Sequence, residues 1–153
     1  MADRYLLGAD ALLELSAGAP NPTKEWGAGV RLQHCRLSVV AIGIAFETVH
    51  HELAGDLARL QGWERSLRAR LAEFARLGVP MLPVTDAVVE EWIPLRRHPL
   101  VARDARNGAE IAVSQDTRLV IATARCFGLA LVELAQPYHD TLRDLGIEVV
   151  SIA

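Results

Sequence analysis

The sequence predicts an α/β fold in which a short, largely parallel five-stranded sheet lies between layers of helices. Three observations carry this expectation. Short apolar runs beginning near Tyr5, Leu37, Met81, Leu129 and Ile147 recur along the chain. The segments between them place apolar residues three or four apart, the helix period. The runs themselves are apolar on successive residues rather than alternating, as in strands buried on both faces, so helices must cover both sides of the sheet.

Each element has its own local reason. Tyr5-Leu6-Leu7 is a short strand ended by Gly8. Asp10 stands as N-cap of a helix over Ala11-Leu12-Leu13-Glu14-Leu15, ended by Gly18. Asn21-Pro22 restarts a helix, with Asn as cap and Pro at the first helical position. The β-branched run from Leu37 to Ile42 reads as a second buried strand. From Phe46 to Leu77 ten large apolar residues keep helical spacing, and Gly55 and Gly62 are the expected breaks. Ten such positions exceed what one sheet face covers, so part of the stripe, Trp63 included, is expected in a homodimer contact.

Met81-Leu82-Pro83-Val84 is a short edge strand, since proline cannot donate to a ladder. Thr85 or Asp86 caps the next helix, which ends near Pro94. Residues 95–115 are loop-like, with a turn at Asn107-Gly108 and a helical turn over Glu110 to Val113. Asp116 caps an apolar helix ended by Gly128. Leu129 to Leu134 is a strand, Tyr138 to Leu145 a short helix closed by Gly146, and Ile147 to Ile152 the last strand.

Composition excludes several classes. The chain has 153 residues, of which 51% are hydrophobic and 23% charged. That suits one domain over residues 1–153, able to bury roughly 70% of its unfolded surface without a metal or disulfide staple. No apolar run is long enough to span a membrane. Met1-Ala2-Asp3-Arg4 lacks a basic region before an apolar run, so no signal peptide is expected and the location is cytoplasmic. Cys35 and Cys126 are far apart and in no metal spacing, which favours two thiols over a disulfide. The net charge of −3 argues against a large nucleic-acid-coating surface but leaves room for a small cleft.

Several segments carry a family resemblance. Tyr5 to Leu15 resembles the opening strand and helix of PIN domains of the VapC/FitB toxin type, usually written LLDTNVLSEL. Ala19-Pro20-Asn21-Pro22 with Trp26 resembles their Pro-x-Pro…Trp element. Leu37 to Gly43 resembles LSxVTxGE. Ile121-Ala122-Thr123-Ala124 with Gly128 to Val132 resembles IAATA…GLxLVT. Leu145 to Val150 resembles the closing LGVxVL strand. The resemblance covers nearly the whole chain except residues 95–115. It implies a PIN-like three-layer domain in which acidic side chains at the carboxyl ends of the strands hold Mg²⁺ or Mn²⁺ and cut RNA. Clustered carboxylates require such a cation to offset their repulsion, and the cation lowers the pKa of a bound water.

Set on that pattern, the acids are mostly missing. The first falls on Gly8, the second on Ile44, the third at Asp116 or Thr117, and the fourth on Ala135 or Gln136. The resemblance therefore implies a degenerate metal site in a protein that acts by binding a protein or RNA, with no cofactor. The alternative is a Mg²⁺-dependent endoribonuclease toxin with rearranged acids. In that case Asp10 and Asp116 are catalytic, and Asp10, Asp116 and Glu133 hold Mg²⁺ or Mn²⁺. The resemblance also implies a homodimer and an antitoxin-like protein partner, with RNA as a further partner and no membrane. Returning an Asp to position 8 and a Glu to position 44 is expected to raise metal affinity.

Each of these residues has a plainer reading. Asp10 and Asp116 serve as helix caps, Glu133 turns to solvent, and Glu47 is a solvated charge one helical turn from Ile44. His50, His51 and His139 show no metal-ligand spacing. Arg65, Arg68, Arg70 and Arg76, interleaved with Glu64 and Glu73, are either a solvated helix face or an RNA track.

Overall fold

The computed structural model describes residues 4–153; Met1–Asp3, read above for a signal peptide, lie outside it. Five strands, β1 (Tyr5–Leu7), β2 (Cys35–Ser38), β3 (Met81–Leu82), β6 (Ala130–Leu134) and β7 (Val149–Ile152), form one sheet in the order β3-β2-β1-β6-β7. Every pair in it is parallel, with Leu7 beside both Leu37 and Val132. Two further strands, β4 (Val101–Arg103) and β5 (Glu110–Ala112), make an antiparallel hairpin apart from the sheet.

Alternation along the strands divides the core in two. Leu6 and Leu131 face α5 (Asp86–Leu95), α6 (Gln115–Phe127) and α7 (Tyr138–Asp144), and pack with Val88, Ile121 and Leu142. Leu7 and Val132 face the other way, toward α1 (Ala9–Ser16) and α4 (Leu57–Arg76), and pack with Leu12, Leu67 and Phe74. Helix α3 (Val39–Glu52) serves both cores, through Ala41 on one side and Ala45 and Val49 on the other. This is the doubly covered parallel sheet that the apolar strands predict.

Local chemistry moves several boundaries. The run Leu37–Ile42 is not all strand: β2 stops at Ser38, whose hydroxyl accepts from the amides of Val40 and Ala41 and starts α3 there. The cap and the tertiary packing of Ala41 outweigh the β-propensity of Val39, Val40 and Ile42. The helical region breaks only near Gly55, where the Asp56 carboxylate caps α4; Gly62 lies within α4. Glu110–Ala112 is a strand, not a helical turn, and the turn at Asn107-Gly108 that joins it to β4 uses a positive φ of 69° at the glycine.

Two cap assignments also change. Helix α1 begins at Ala9, so Asp10 lies inside its first turn and Gly8 holds the cap position without a side chain. Helix α6 is capped by Ser114, whose Oγ accepts from Thr117 N, and Asp116 falls in its first turn. The caps at Asn21 and Thr85 and the left-handed Gly128 stand as predicted. Asn21 does double duty: its Nδ2 also donates to the Glu14 carbonyl, 2.8 Å away, near the end of α1.

The apolar stripe expected to exceed one sheet face is mostly covered within the chain. Leu60, Leu67 and Phe74 are buried, Trp63 is half-buried against the same core, and Leu57 and Leu77 remain exposed. Both cysteines are free thiols. Cys35 is buried, which raises its pKa to about 11, and Cys126 is half-buried.

Candidate functional site

The carboxyl ends of β1, β2 and β6 open toward the β4–β5 hairpin, the position where open parallel sheets bind ligands. A cavity of about 290 Å³ lies there, and Asp10, Ile44, Gln136 and Glu133 are among the residues that line it.

Glu133 is the centre of the site. It is the fourth residue of β6 and only 5% exposed. Its Oε1 accepts from the Tyr138 hydroxyl at 2.7 Å and lies 3.2 Å from Nε2 of His139. The other ring nitrogen of His139 meets the Ser151 hydroxyl of β7. The start of α7 thus brings two polar groups under a carboxylate from the middle of the sheet, which is how a buried charge is tolerated.

Asp10 stands beside it. Its Oδ1 accepts from Ala11 N at 2.7 Å and its Oδ2 from Leu134 N at 3.2 Å, so the first turn of α1 is tied to the end of β6. Burial, and then the negative charge of Glu133, push the Asp10 carboxyl up to about 7, against the two amide hydrogen bonds. Burial of Tyr138, and then the charge of Glu133, likewise drive its hydroxyl far above the usual phenol range.

Asp116 does not join them. It is exposed and lines a second, larger cavity of about 590 Å³ with Glu47, Glu52 and Arg106. Ile44, Thr48 and Ser114 lie between the two cavities and line both. The structure therefore brings Asp10 and Glu133 together and holds Asp116 apart. His139 is a satisfied buried histidine, while His50 and His51 are exposed at the end of α3.

No protein-family model and no curated protein matches this sequence. The likeness to known proteins lies in three dimensions. FitAcB from Neisseria gonorrhoeae has a TM-score of 0.69 at 17% identity, over 96% of this chain and 96% of that one. VapBC2 from Rickettsia felis, solved with a fragment of promoter DNA, has 0.67 at 10% identity, over 97% and 98%. VapC20 of Mycobacterium tuberculosis, a toxin that cleaves the sarcin-ricin loop, has 0.60 at 14% identity, over 94% and 95%. The chain has the FitB/VapC-type PIN fold.

Within that PIN fold the position that the resemblance gives to the first acid is filled from elsewhere. Gly8 ends β1, and a Cβ built on it would lie 2.6 Å from Glu133 Cγ and 3.1 Å from Glu133 Oε2. The Glu133 side chain occupies the room that an acid at position 8 needs. Ile44, at the second position, gives the cleft an apolar wall. Gln136, one of two candidates for the fourth, uses its Oε1 to accept from Arg103 N and so ties the hairpin down.

A hard divalent cation takes six or more oxygens, of which carboxylates must supply at least one or two. Here one oxygen of Glu133 is engaged by Tyr138 and His139, and both oxygens of Asp10 accept amides. Among the described residues no three His, Cys, Asp or Glu side chains come together as a metal-holding group. The donor set does not fit a multi-carboxylate Mg²⁺ or Mn²⁺ centre. Sequence reasoning singled out Glu133 as a charge in an apolar strand but missed Tyr138 and Ser151, whose roles depend on α7 and β7 meeting β6.

Proposed function

We propose that this chain is a protein of the toxin type whose metal-dependent nuclease site has been dismantled, and that it acts by binding. Its partners are a second copy of itself and an antitoxin-like protein or an RNA, in the cytoplasm. The observation that carries the reading is Glu133, which fills the space above Gly8 while bound to Tyr138 and His139. A carboxylate held in that way is part of the core rather than an open ligand. The similar structures include FitAB bound to an IR36 DNA fragment and a toxin–antitoxin complex from Klebsiella pneumoniae, which supports a protein partner. No helix among the described residues is long and apolar enough to cross a membrane.

Self-association has two candidate surfaces: the exposed part of the α4 stripe, at Leu57 and Leu77, and a second patch around α5. Val89 and Ile93 on α5, with Met81 and Val84 at the β3 edge, make up that second exposed apolar patch. Sedimentation at high micromolar concentration should show a dimer, and Ile93→Glu should shift it toward monomer.

The nuclease question is decided by calorimetric titration with Mn²⁺ beside a cleavage assay on structured RNA. Binding no tighter than millimolar and intact RNA are expected. One feature favours the alternative of a rearranged Mg²⁺-dependent endoribonuclease: Asp10 and Glu133 share a cavity at the strand ends, and Asp10 is raised to about 7. Robust cleavage lost in Glu133→Gln would establish that reading in place of ours.

A further inference from the structure

Arg118 is a buried cation without an anion. It lies in α6 and is 5% exposed. Its Nε donates to the Val113 carbonyl at 3.0 Å, and its Nη1 donates to the carbonyls of Leu95 and His98, each at 2.6 Å. These bonds join the end of α5, the loop after it and the exit of the β4–β5 hairpin. Among the described residues no carboxylate pairs with it, and its Nη2 donates to nothing. Burial draws its pKa below the ordinary arginine value, but a guanidinium stays charged in proteins.

The terminal carbonyl of α5 explains part of this arrangement, because a helix carboxyl end favours a cation. It does not explain two spare N–H donors on a group that is normally buried only when paired. Those donors belong to a residue that lines a pocket of about 430 Å³ with Arg96, Arg97, His98 and Glu110. Arg96 and Arg97 are exposed and in no ion pair among the described residues. The Arg96 guanidinium rests over the Trp92 ring, 5.7 Å from its centroid, which limits its freedom. Three arginines against one glutamate thus line a single pocket in a chain whose net charge is −3.

We propose that this pocket binds a phosphate group, with Arg118 at its base and Arg96 and Arg97 at its rim. Several arginines around one pocket match a ligand with three or four oxygens and more than one negative charge better than a single carboxylate. The site is separate from the acidic cavity and does not depend on any metal there. The same phosphate chemistry is offered by a phosphomonoester, on a nucleotide or at the end of a strand, and by the diesters within a strand.

The test is fluorescence-anisotropy and calorimetric binding to the full chain in EDTA. The probes are inorganic phosphate, adenosine 5′-monophosphate, and a short single-stranded RNA with and without a 5′-phosphate. The double variant Arg96→Ala/Arg97→Ala, which removes only exposed side chains, should weaken binding about tenfold or more, as loss of charge-assisted hydrogen bonds implies. Inorganic phosphate should displace the strand. Dependence on the 5′-phosphate would identify a monoester ligand, and indifference to it a diester. Arg118→Lys, checked for folding by circular dichroism, keeps the charge but loses the fork, and should also weaken binding. The proposal is overturned if no probe distinguishes wild type from the double variant. It is equally overturned if an oligoglutamate peptide binds the pocket and phosphate does not displace it. Because divalent ions are absent, failure here leaves the reading of the acidic cleft untouched.

Discussion

A Cβ atom on Gly8 would stand 2.6 Å from Cγ of Glu133, so only one of these two neighbours, just past the end of β1 and within β6, has room for a side chain. The glycine is not there for its backbone, since its φ of −69° and ψ of 168° are open to any residue. It is there for space. Gly8→Asp should therefore cost about 1–3 kcal/mol through overpacking and push Glu133 off Tyr138 and His139. Glu133→Ala should cost a similar amount by leaving both partners without an acceptor. Combined, the two changes should cost clearly less than their sum, as urea denaturation of the four proteins in a double-mutant cycle would read. Strict additivity would refute the exchange of space. Rebuilding the acidic site thus requires Glu133→Ala together with Gly8→Asp and Ile44→Glu.

Stability should depend on pH through Asp10. Its carboxyl is raised to about 7 in the folded chain, from 3.8, by burial, Glu133 and, more weakly, Glu14. The folded state then binds more protons than the unfolded state between these values, so stability falls as pH rises. The contribution is full below about 4, is lost progressively up to about 7 and changes no further above that. At one pKa unit per ~1.4 kcal/mol the total is on the order of 4 kcal/mol. Asp10→Asn should flatten that slope, with chemical denaturation at pH 5 and pH 8 as the measurement. An unchanged slope in the variant would assign the effect to another group.

The sheet was legible because its strands are apolar on both faces, a pattern that needs no tertiary knowledge. The boundary at Ser38 was not, because Val39, Val40 and Ile42 read as strand and only the packing of Ala41 decides for helix. The hairpin over residues 101–112 was hidden for a related reason. Its exposed strands have no core-facing alternation, and the buried Arg118 that anchors their base is distant in sequence from Leu95. The site was half legible: Asp10 and Glu133 stood out as charges beside apolar runs, but their pairing is a contact across 123 positions of chain.

Ser38 should matter more than a single serine at a strand end usually does. It is 1% exposed, and its Oγ accepts from Val40 N at 3.1 Å and Ala41 N at 3.3 Å. Ser38→Ala leaves two amides at the start of α3 without that acceptor and should destabilise the chain by about 1–2 kcal/mol. Ser38→Thr keeps the hydroxyl and should recover part of the loss. Thermal denaturation of both variants measures it, and an Ala variant as stable as wild type would show that the strand-to-helix switch is set by packing alone.

Asp116 gives the sharpest contrast between the two readings of the cleft. It is the one residue that stands near a position the resemblance assigns to an acid, yet it faces the larger cavity with Glu47, Glu52 and Arg106, apart from Asp10 and Glu133. Its carboxylate accepts no hydrogen bond among the described residues, because Ser114 already caps α6. What remains is the interaction of a charge in the first helical turn with the helix dipole, worth about 0.3–1 kcal/mol at an exposed site. Asp116→Ala should cost no more than that, whereas Ser114→Ala should cost about 1 kcal/mol. The Asp116 variant should also leave the Mn²⁺ titration unchanged, since a single exposed carboxylate outside the Asp10–Glu133 pair contributes little to a cation site. If instead wild type cleaves structured RNA and Asp116→Ala abolishes the cleavage, the two cavities must close on one another around a metal, and the chain is an active nuclease.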